Sequence, residues 1–331
     1  MNKVKFLSIF LISLIISCTD SENPDDDITV STSDLTITVD EIPSVGQSIG
    51  TVEGTTNQGS VTFSITENPN EVLQINPSTG ELTVQNPIDV FENPIVFGIV
   101  RVENGDVFKN AIVIVNLVLP CDSNQTPLLQ AYYPMNSNAM DQSGFNNHGV
   151  VIGPTLANDR FSIAESAYYF DGIDDKIEVP DSEQLFLNNE FTISAWIYPE
   201  EIKTQEIIRK GNNVNGPSAL PYGLALSATN DIVFSITTSD GVLTQARMHG
   251  YSINKWYLIT GILKDQKMYL YVNDYLASVK SIHGEIFDDS LPLLIGTRLS
   301  LPSSTFKGII DDVRIYNSAL CTEEVINLYN N

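Results

Sequence analysis

Along most of this chain apolar and β-branched residues alternate with polar ones in short runs, and Gly, Asn, Asp and Pro separate the runs, which is the pattern of half-buried β-strands. Phe191, Ile193, Ala195 and Ile197 alternate with Thr192, Ser194, Trp196 and Tyr198, and Met268, Leu270 and Val272 alternate with Tyr269, Tyr271 and Asn273. Each run offers one face to a core and the other to a second surface. Pro77 and Gly80 mark a tight hairpin turn that sets Ile75, Leu82 and Val84 on one face. A helical period appears only in the last dozen residues. The pattern predicts an all-β chain of two tandem β-sandwiches. The boundary falls at Leu119-Pro120-Cys121-Asp122, where the long strand pattern Ala111 to Leu117 ends in proline and polar residues, giving domains over 28–119 and 120–331.

The start of the chain has a different grammar. Lys3 and Lys5 precede an apolar run, Phe6 to Ile16, broken only by Ser8 and Ser13 and too short to cross a bilayer as a helix; it ends in Ser17-Cys18. Residues 1–17 resemble a bacterial lipoprotein signal peptide, the alternative being an ordinary cleaved secretory signal followed by a chance cysteine. The resemblance implies cleavage before Cys18, acylation of that cysteine and attachment to a membrane through lipid alone. Residues 18–27 are acidic and lack anything to pack, so they read as an extended tether. An acidic stretch in this place resembles the export signal of some surface-exposed Gram-negative lipoproteins. It implies the outer membrane, facing outward; as a plain solvated spacer the same stretch would leave the protein facing the periplasm.

Charge narrows the partners. The formal net charge is −24, and Lys3 and Lys5 contribute nothing to it once the signal is removed. Acids outnumber bases 11 to 2 over residues 28–120 and 25 to 13 over 121–331. Such a surface argues against nucleic acid and for solubility and a general affinity for cations.

Residues 28–119 resemble a degenerate cadherin-like repeat. The resemblance rests on Val39-Asp40-Glu41-Ile42-Pro43, Gly46 to Val52, Val61 to Ile65 and, most specifically, Leu73-Gln74-Ile75-Asn76-Pro77-Ser78-Thr79-Gly80-Glu81-Leu82-Thr83-Val84. It implies calcium between domains, with Glu41, Asp89 or Glu92, and Asp106 as the matching acids. Asp89-Val90-Phe91-Glu92 carries an extra residue, and Glu103-Asn104-Gly105-Asp106 replaces the Asp-x-Asp element. A spacer sandwich with solvated acids is the alternative.

Residues 121–331 resemble the laminin-G-like, concanavalin A-like jelly rolls. The ordered set is Tyr132 to Asn136, Ala139 to Gly144, Asn146 to Gly149, Asp159-Arg160-Phe161, Ala167 to Asp175, Phe191 to Ile197, Trp256, Leu270 to Asn273 and Gly308 to Asn317. Asp274 departs from the glycine that usually follows Asn in this hairpin, and it is expected to take the left-handed conformation. The resemblance implies a jelly roll that recognises carbohydrate in loops at one sheet edge or on the concave face. Tyr222 beside the Gly211 to Pro221 loop, His249 and Tyr251 are the candidate contacts, each also able to serve as packing. Protein adhesion or scaffolding on the cell surface is the competing reading.

With Cys18 consumed by lipid, Cys121 and Cys321 remain as a pair in an oxidising compartment, and a bond between them would clamp the ends of the second domain; two buried thiols are the alternative. The jelly-roll resemblance implies a structural calcium ion at Asp141, Asp171 and Asp311, with carbonyls near Gly144 and Asn146; aspartates that cap turns are the alternative. Catalysis is not expected. No Glu-x-Asp-x-Glu ladder occurs, Asp174-Asp175-Lys176-Ile177-Glu178 places a lysine in the middle, and His148, His249 and His283 are scattered.

Overall fold

The computed structural model describes residues 27–39, 43–69, 71–88, 95–119, 121, 126–211, 220–287, 290–298 and 304–331. The signal segment, Cys18, the tether up to Asp26, and Glu41, Asp89 and Glu92 lie outside the described residues.

The first sandwich is built from β1 (Val30–Thr32), β2 (Leu35–Val39), β3 (Ser48–Thr51), β4 (Gly54–Thr56), β5 (Thr62–Glu67), β6 (Leu73–Ile75), β7 (Glu81–Val84), β8 (Ile95–Asn104) and β9 (Val107–Leu117). One sheet runs β2-β9-β8-β5, a second β3-β7-β6, and β1 pairs with β4. Strand β2 lies parallel to β9. The sheets close on Val52, Phe63, Leu73, Leu82, Val100 and Val113. The Pro77–Gly80 turn joins β6 to β7 with Ile75 opposite Leu82. Gly80 has φ +72°, and a Cβ there would meet the Val52 carbonyl oxygen and the Phe63 ring, so no larger residue fits. Asp106 is exposed in the turn between β8 and β9.

The second sandwich comprises β10 (Leu129–Tyr133), β11 (Val150–Ile152), β12 (Thr155–Ala157), β13 (Ala167–Asp171), β14 (Lys176–Val179), β15 (Phe191–Pro199), β16 (Gln205–Lys210), β17 (Tyr222–Leu226), β18 (Asp231–Thr237), β19 (Leu243–His249), β20 (Tyr257–Lys264), β21 (Lys267–Val272), β22 (Tyr275–Ser281), β23 (Leu293–Ile295) and β24 (Lys307–Tyr316), followed by helix α1 (Thr322–Asn330). An eight-stranded sheet runs β12-β13-β24-β15-β20-β21-β22, with β10 also on β24, and faces a seven-stranded sheet, β11-β14-β23-β16-β17-β18-β19. Phe191, Ile193, Ala195 and Ile197 point into the core between the sheets, as do Met268, Leu270 and Val272. In the β21–β22 turn the left-handed residue is Asn273 (φ +59°), not Asp274, and the Asn273 side chain accepts the Leu258 N–H.

Strand β24 divides one edge between two partners. Its Lys307–Ile310 half pairs with β13 and its Val313–Tyr316 half with β10. Asp311 and Asp312 fall between them, and on the other edge the register with β15 shifts at the same place.

Helix α1 closes a third apolar cluster on the outer face of the eight-stranded sheet. Ile262, Tyr269, Tyr271 and Tyr316 pack there with Leu320 and Val325, and Leu119 joins them from the end of the first sandwich. The Leu119 N–H donates to Thr322 Oγ1 (2.8 Å), and the Thr322 N–H donates to the Leu119 carbonyl (3.0 Å). Beside them Cys121 and Cys321, 200 residues apart in sequence, form a disulfide.

Candidate functional site

The outward face of the seven-stranded sheet carries charge where an alternating strand would carry small or solvated groups. In β16 a bulge sets both Ile207 and Ile208 toward the core, so Glu206 and Arg209 emerge on the same outer face. Glu206 lies opposite Ala225 and Arg209 opposite Gly223. Gly223 must be a glycine here, since a Cβ would press on the Ile208 carbonyl and on Leu220, which folds over this face. Glu206 is held by Arg209 (3.3 Å) and Arg298 (3.8 Å), and both Glu206 and Arg209 are buried. Burial raises the Glu206 carboxyl above its ordinary range, against the pull of the two guanidinium groups.

Toward the sheet edge the face opens. The row continues from Gly223 to Ser235 and Gln245, and the next row runs Ala225, Val233, Arg247. Gln245 donates to Ser235 Oγ (3.0 Å), Arg247 donates to Gln245 Oε1 and to Asp231 Oδ2 (3.1 Å), and His249 Nδ1 meets Asp231 Oδ1 (2.9 Å). Burial would raise Asp231, but hydrogen bonds from Thr229, His249, Ser227 and Arg247 hold it below the usual range. The side chains of Arg247 and His249 are 44% and 69% exposed. Fixed donors and acceptors thus line an open strip, a chemistry that suits a ligand with many hydroxyl groups.

The structure separates the residues expected from sequence. Of Tyr222, His249 and Tyr251, His249 alone is open to solvent. Tyr222 is a core residue: its register shares the inward face with Leu224 and Leu226, its ring packs on Phe191, and its hydroxyl donates to the Leu185 carbonyl (2.7 Å). Tyr251 is also buried, its hydroxyl on the Glu201 carbonyl (3.3 Å) and pushed up to about 12 by burial. The Gly211 to Pro221 loop lies outside the described residues between 212 and 219.

Asp141, Asp171 and Asp311 do not converge on one point. Asp141 is a turn cap whose carboxylate accepts the N–H groups of Tyr132, Ser143 and Asn147 and the Ser143 hydroxyl. Burial would raise it, but these bonds hold it below its ordinary value. Asp311 and Asp312 share Arg160, at 3.2 and 2.9 Å, and Asp312 also pairs with Arg314 and accepts from the Tyr132 hydroxyl. Burial and the neighbouring Asp312 charge push Asp311 up to about 7, despite Arg160. Asp171 instead meets Asp174 and Asp175 in the β13–β14 turn, their oxygens within 4.8 Å of one another. These carboxylates could offer oxygens to a hard cation, and the Asp171 and Ile173 N–H groups already engage Asp175 and Asp171. Lys176 and Glu178 pair with each other on the strand surface (2.7 Å).

Comparison with known proteins places the second sandwich. Residues 171–326 match the Laminin_G_3 family, described as the concanavalin A-like lectin/glucanases superfamily. The adhesion G-protein coupled receptor V1 of Danio rerio is 28% identical over 150 residues, which is 42% of this chain but 2% of the receptor's length. Among solved structures, domain 4 of AbnA, a GH43 extracellular arabinanase from Geobacillus stearothermophilus, in complex with arabinotriose, superposes with a TM-score of 0.51 at 18% identity over 62% of this chain and 100% of that one. The binding domain of Paraclostridial Mosquitocidal Protein 1 gives 0.51 at 21% over 62% of this chain and 52% of that chain. The ligand-binding domain of botulinum neurotoxin serotype D, in complex with N-acetylneuraminic acid, gives 0.50 at 19% over 61% and 50%. At these identities the likeness is one of fold.

Proposed function

We propose that this chain, whose C-terminal sandwich is a concanavalin A-like jelly roll, is a lipid-anchored carbohydrate-binding protein of the outer membrane surface that acts by binding and not by catalysis. Cys18 carries the anchor, the acidic tether and the cadherin-like sandwich act as a spacer, and the outward face of the seven-stranded sheet takes the sugar. The observation that carries this reading is the open strip of Gln245, Arg247, Asp231 and His249, whose polar groups are held by one another and by the buried Ser235 beneath and remain at the surface. Beside it, Glu206 is clamped between two arginines, whereas retaining glycoside chemistry needs a second carboxylate about 5 Å away. The relatives that bind arabinotriose and N-acetylneuraminic acid support the ligand class through their shared fold.

A glycan array probed with the full-length protein, with Arg247→Ala and with His249→Ala tests the reading. Binding to a defined glycan that falls at least tenfold in either variant, with an unchanged melting temperature, is expected. A blank array, or binding untouched by both variants, overturns it. The similarity to an adhesion receptor favours a second reading, a cell-surface protein as partner, and capture of one defined surface protein in place of any glycan would support that instead.

A further inference from the structure

The opposite face of the jelly roll carries a different surface. On the outer side of the eight-stranded sheet, Tyr169 of β13 lies opposite Ile309 of β24, and Ile309 lies opposite Tyr198 of β15. The register of β15 with β20 brings Trp256, just before β20, beside Tyr198, with ring centroids 5.6 Å apart. Trp256 meets Trp196 edge to face at 6.5 Å, and the Arg160 guanidinium lies between the Trp196 and Phe161 rings at 4.6 and 4.4 Å. Tyr169, Tyr198 and Trp256 are all partly exposed, and Phe161 is 60% exposed.

Packing explains only part of this row. Helix α1 covers the same sheet face over Ile262, Tyr269, Tyr271 and Tyr316 and reaches Trp196 through Tyr329, stacked at 5.6 Å. Past Trp196, the row from Trp256 to Tyr169 stays open to solvent. With strands about 4.8 Å apart, Tyr169 and Tyr198 stand two steps, about 10 Å, from each other, so a flat ligand can touch both rings at once.

From this we infer a second saccharide site on the outer face of the eight-stranded sheet, taking an extended run of an uncharged, equatorially linked polysaccharide. Such a chain is a flat ribbon with C–H faces that lie on aromatic rings, while its hydroxyls meet polar groups at the edge. Tyr169 presents its hydroxyl there, bonded to Glu200 Oε2 at 3.2 Å. Charge selects the neutral class: the domain that carries the row holds 25 acids against 13 bases, which repel a polyanionic glycan. The site is independent of the polar strip on the other sheet.

The full-length protein is tested for retention on insoluble cellulose and mannan, with alginate as the acidic control. Trp196 and Trp256 are the two tryptophans of the chain, so fluorescence also reports on soluble cello- and manno-oligosaccharides. Retention on at least one neutral polymer is expected, at least tenfold weaker in Trp256→Ala and Tyr198→Ala and unchanged in Phe145→Ala, an exposed loop residue that belongs to neither site. Tyr169→Ala, at the far end of the row, replaces any variant whose melting temperature collapses. No retention on either neutral polymer, preference for alginate, or undiminished retention in the aromatic variants overturns the inference. Loss in Arg247→Ala and His249→Ala alone assigns the binding to the other sheet and also overturns it.

Discussion

Glu206 and Arg209 stand three residues apart on one strand and share a face. Regular alternation would put them on opposite sides of the sheet; the Ile207–Ile208 bulge brings them together. The pair is therefore fixed by the backbone and buried with its charge. Arg209→Ala strands the Glu206 carboxylate beside Arg298 alone, and a loss of about 3 kcal/mol of stability is expected, whereas the double change Glu206→Leu with Arg209→Met costs far less. Chemical denaturation of the three proteins measures it, and equal losses in single and double variants would remove the pair from the account.

Tyr222 and His249 looked alike as sugar contacts and are opposites in the fold. Tyr222→Phe deletes a buried hydroxyl and leaves the Leu185 carbonyl unpaired, so a loss of about 1–2 kcal/mol with glycan retention intact is expected. His249→Ala should leave the melting temperature within error and weaken binding on the glycan array. Thermal melts beside array binding separate the two roles.

The difference between these residues shows how far the sequence can be read. Alternation placed Phe191 to Tyr198 correctly on two faces, because a strand with one apolar side has one possible register. The same test applied to Tyr222, Leu224 and Leu226 would have put the tyrosine inside. The break in alternation at Ile207–Ile208, two apolar neighbours flanked by charges, was the available sign of the bulge and of the Glu206–Arg209 pair. Tyr251 gave no such sign, since its burial comes from residues far away in the chain, including Glu201. Asp141, Asp171 and Asp311 belong to successive motifs, but only the folded chain reveals that Asp141 is consumed by its own turn and Asp311 by Arg160.

Asp311 gives the protein an unusual pH profile. Its folded value near 7 lies above the ordinary 3.8, so between those values the folded state holds a proton that the unfolded state has lost. Stability from this group is therefore full below pH 4 and declines as pH rises toward 7, by at most about 4 kcal/mol. Asp141 and Asp231 work the other way, their lowered values adding stability that disappears as pH falls below about 4. Melting temperatures from pH 3 to 8 should peak in the mildly acid range, and Asp311→Asn should flatten the decline above it. A wild-type profile that rises steadily to pH 7 would contradict the Asp311 environment.

The Cys121–Cys321 bond joins the entry of the jelly roll to the start of α1, where Leu119 and Thr322 already exchange hydrogen bonds. It closes a loop of 200 residues, for which loop entropy gives at most about 5 kcal/mol. Cys121→Ser is expected to lower the melting temperature of the second sandwich and to loosen Leu119 from the cluster under α1, seen as faster amide exchange at Leu119 and Thr322. Unchanged exchange at both amides would mean that packing alone holds this junction.

The calcium expectation now falls on Asp171, Asp174 and Asp175. Three carboxylates in one turn, one oxygen each, supply at most half of the six to eight oxygens that calcium takes, and water and main-chain carbonyls would have to supply the rest. Burial, with the Asp171 and Asp174 charges, raises the Asp175 carboxyl, and a bound cation would reverse that shift. If the ion binds the folded state, calcium in hundredfold excess over its Kd raises stability by about 2.7 kcal/mol, and chelation removes the gain. The expected outcome is a melting temperature that rises with calcium in the wild type and not in Asp174→Asn, while Asp141→Asn keeps the calcium response from a lower starting point. A melting temperature indifferent to calcium would leave this turn as an acidic surface loop held by its own N–H groups.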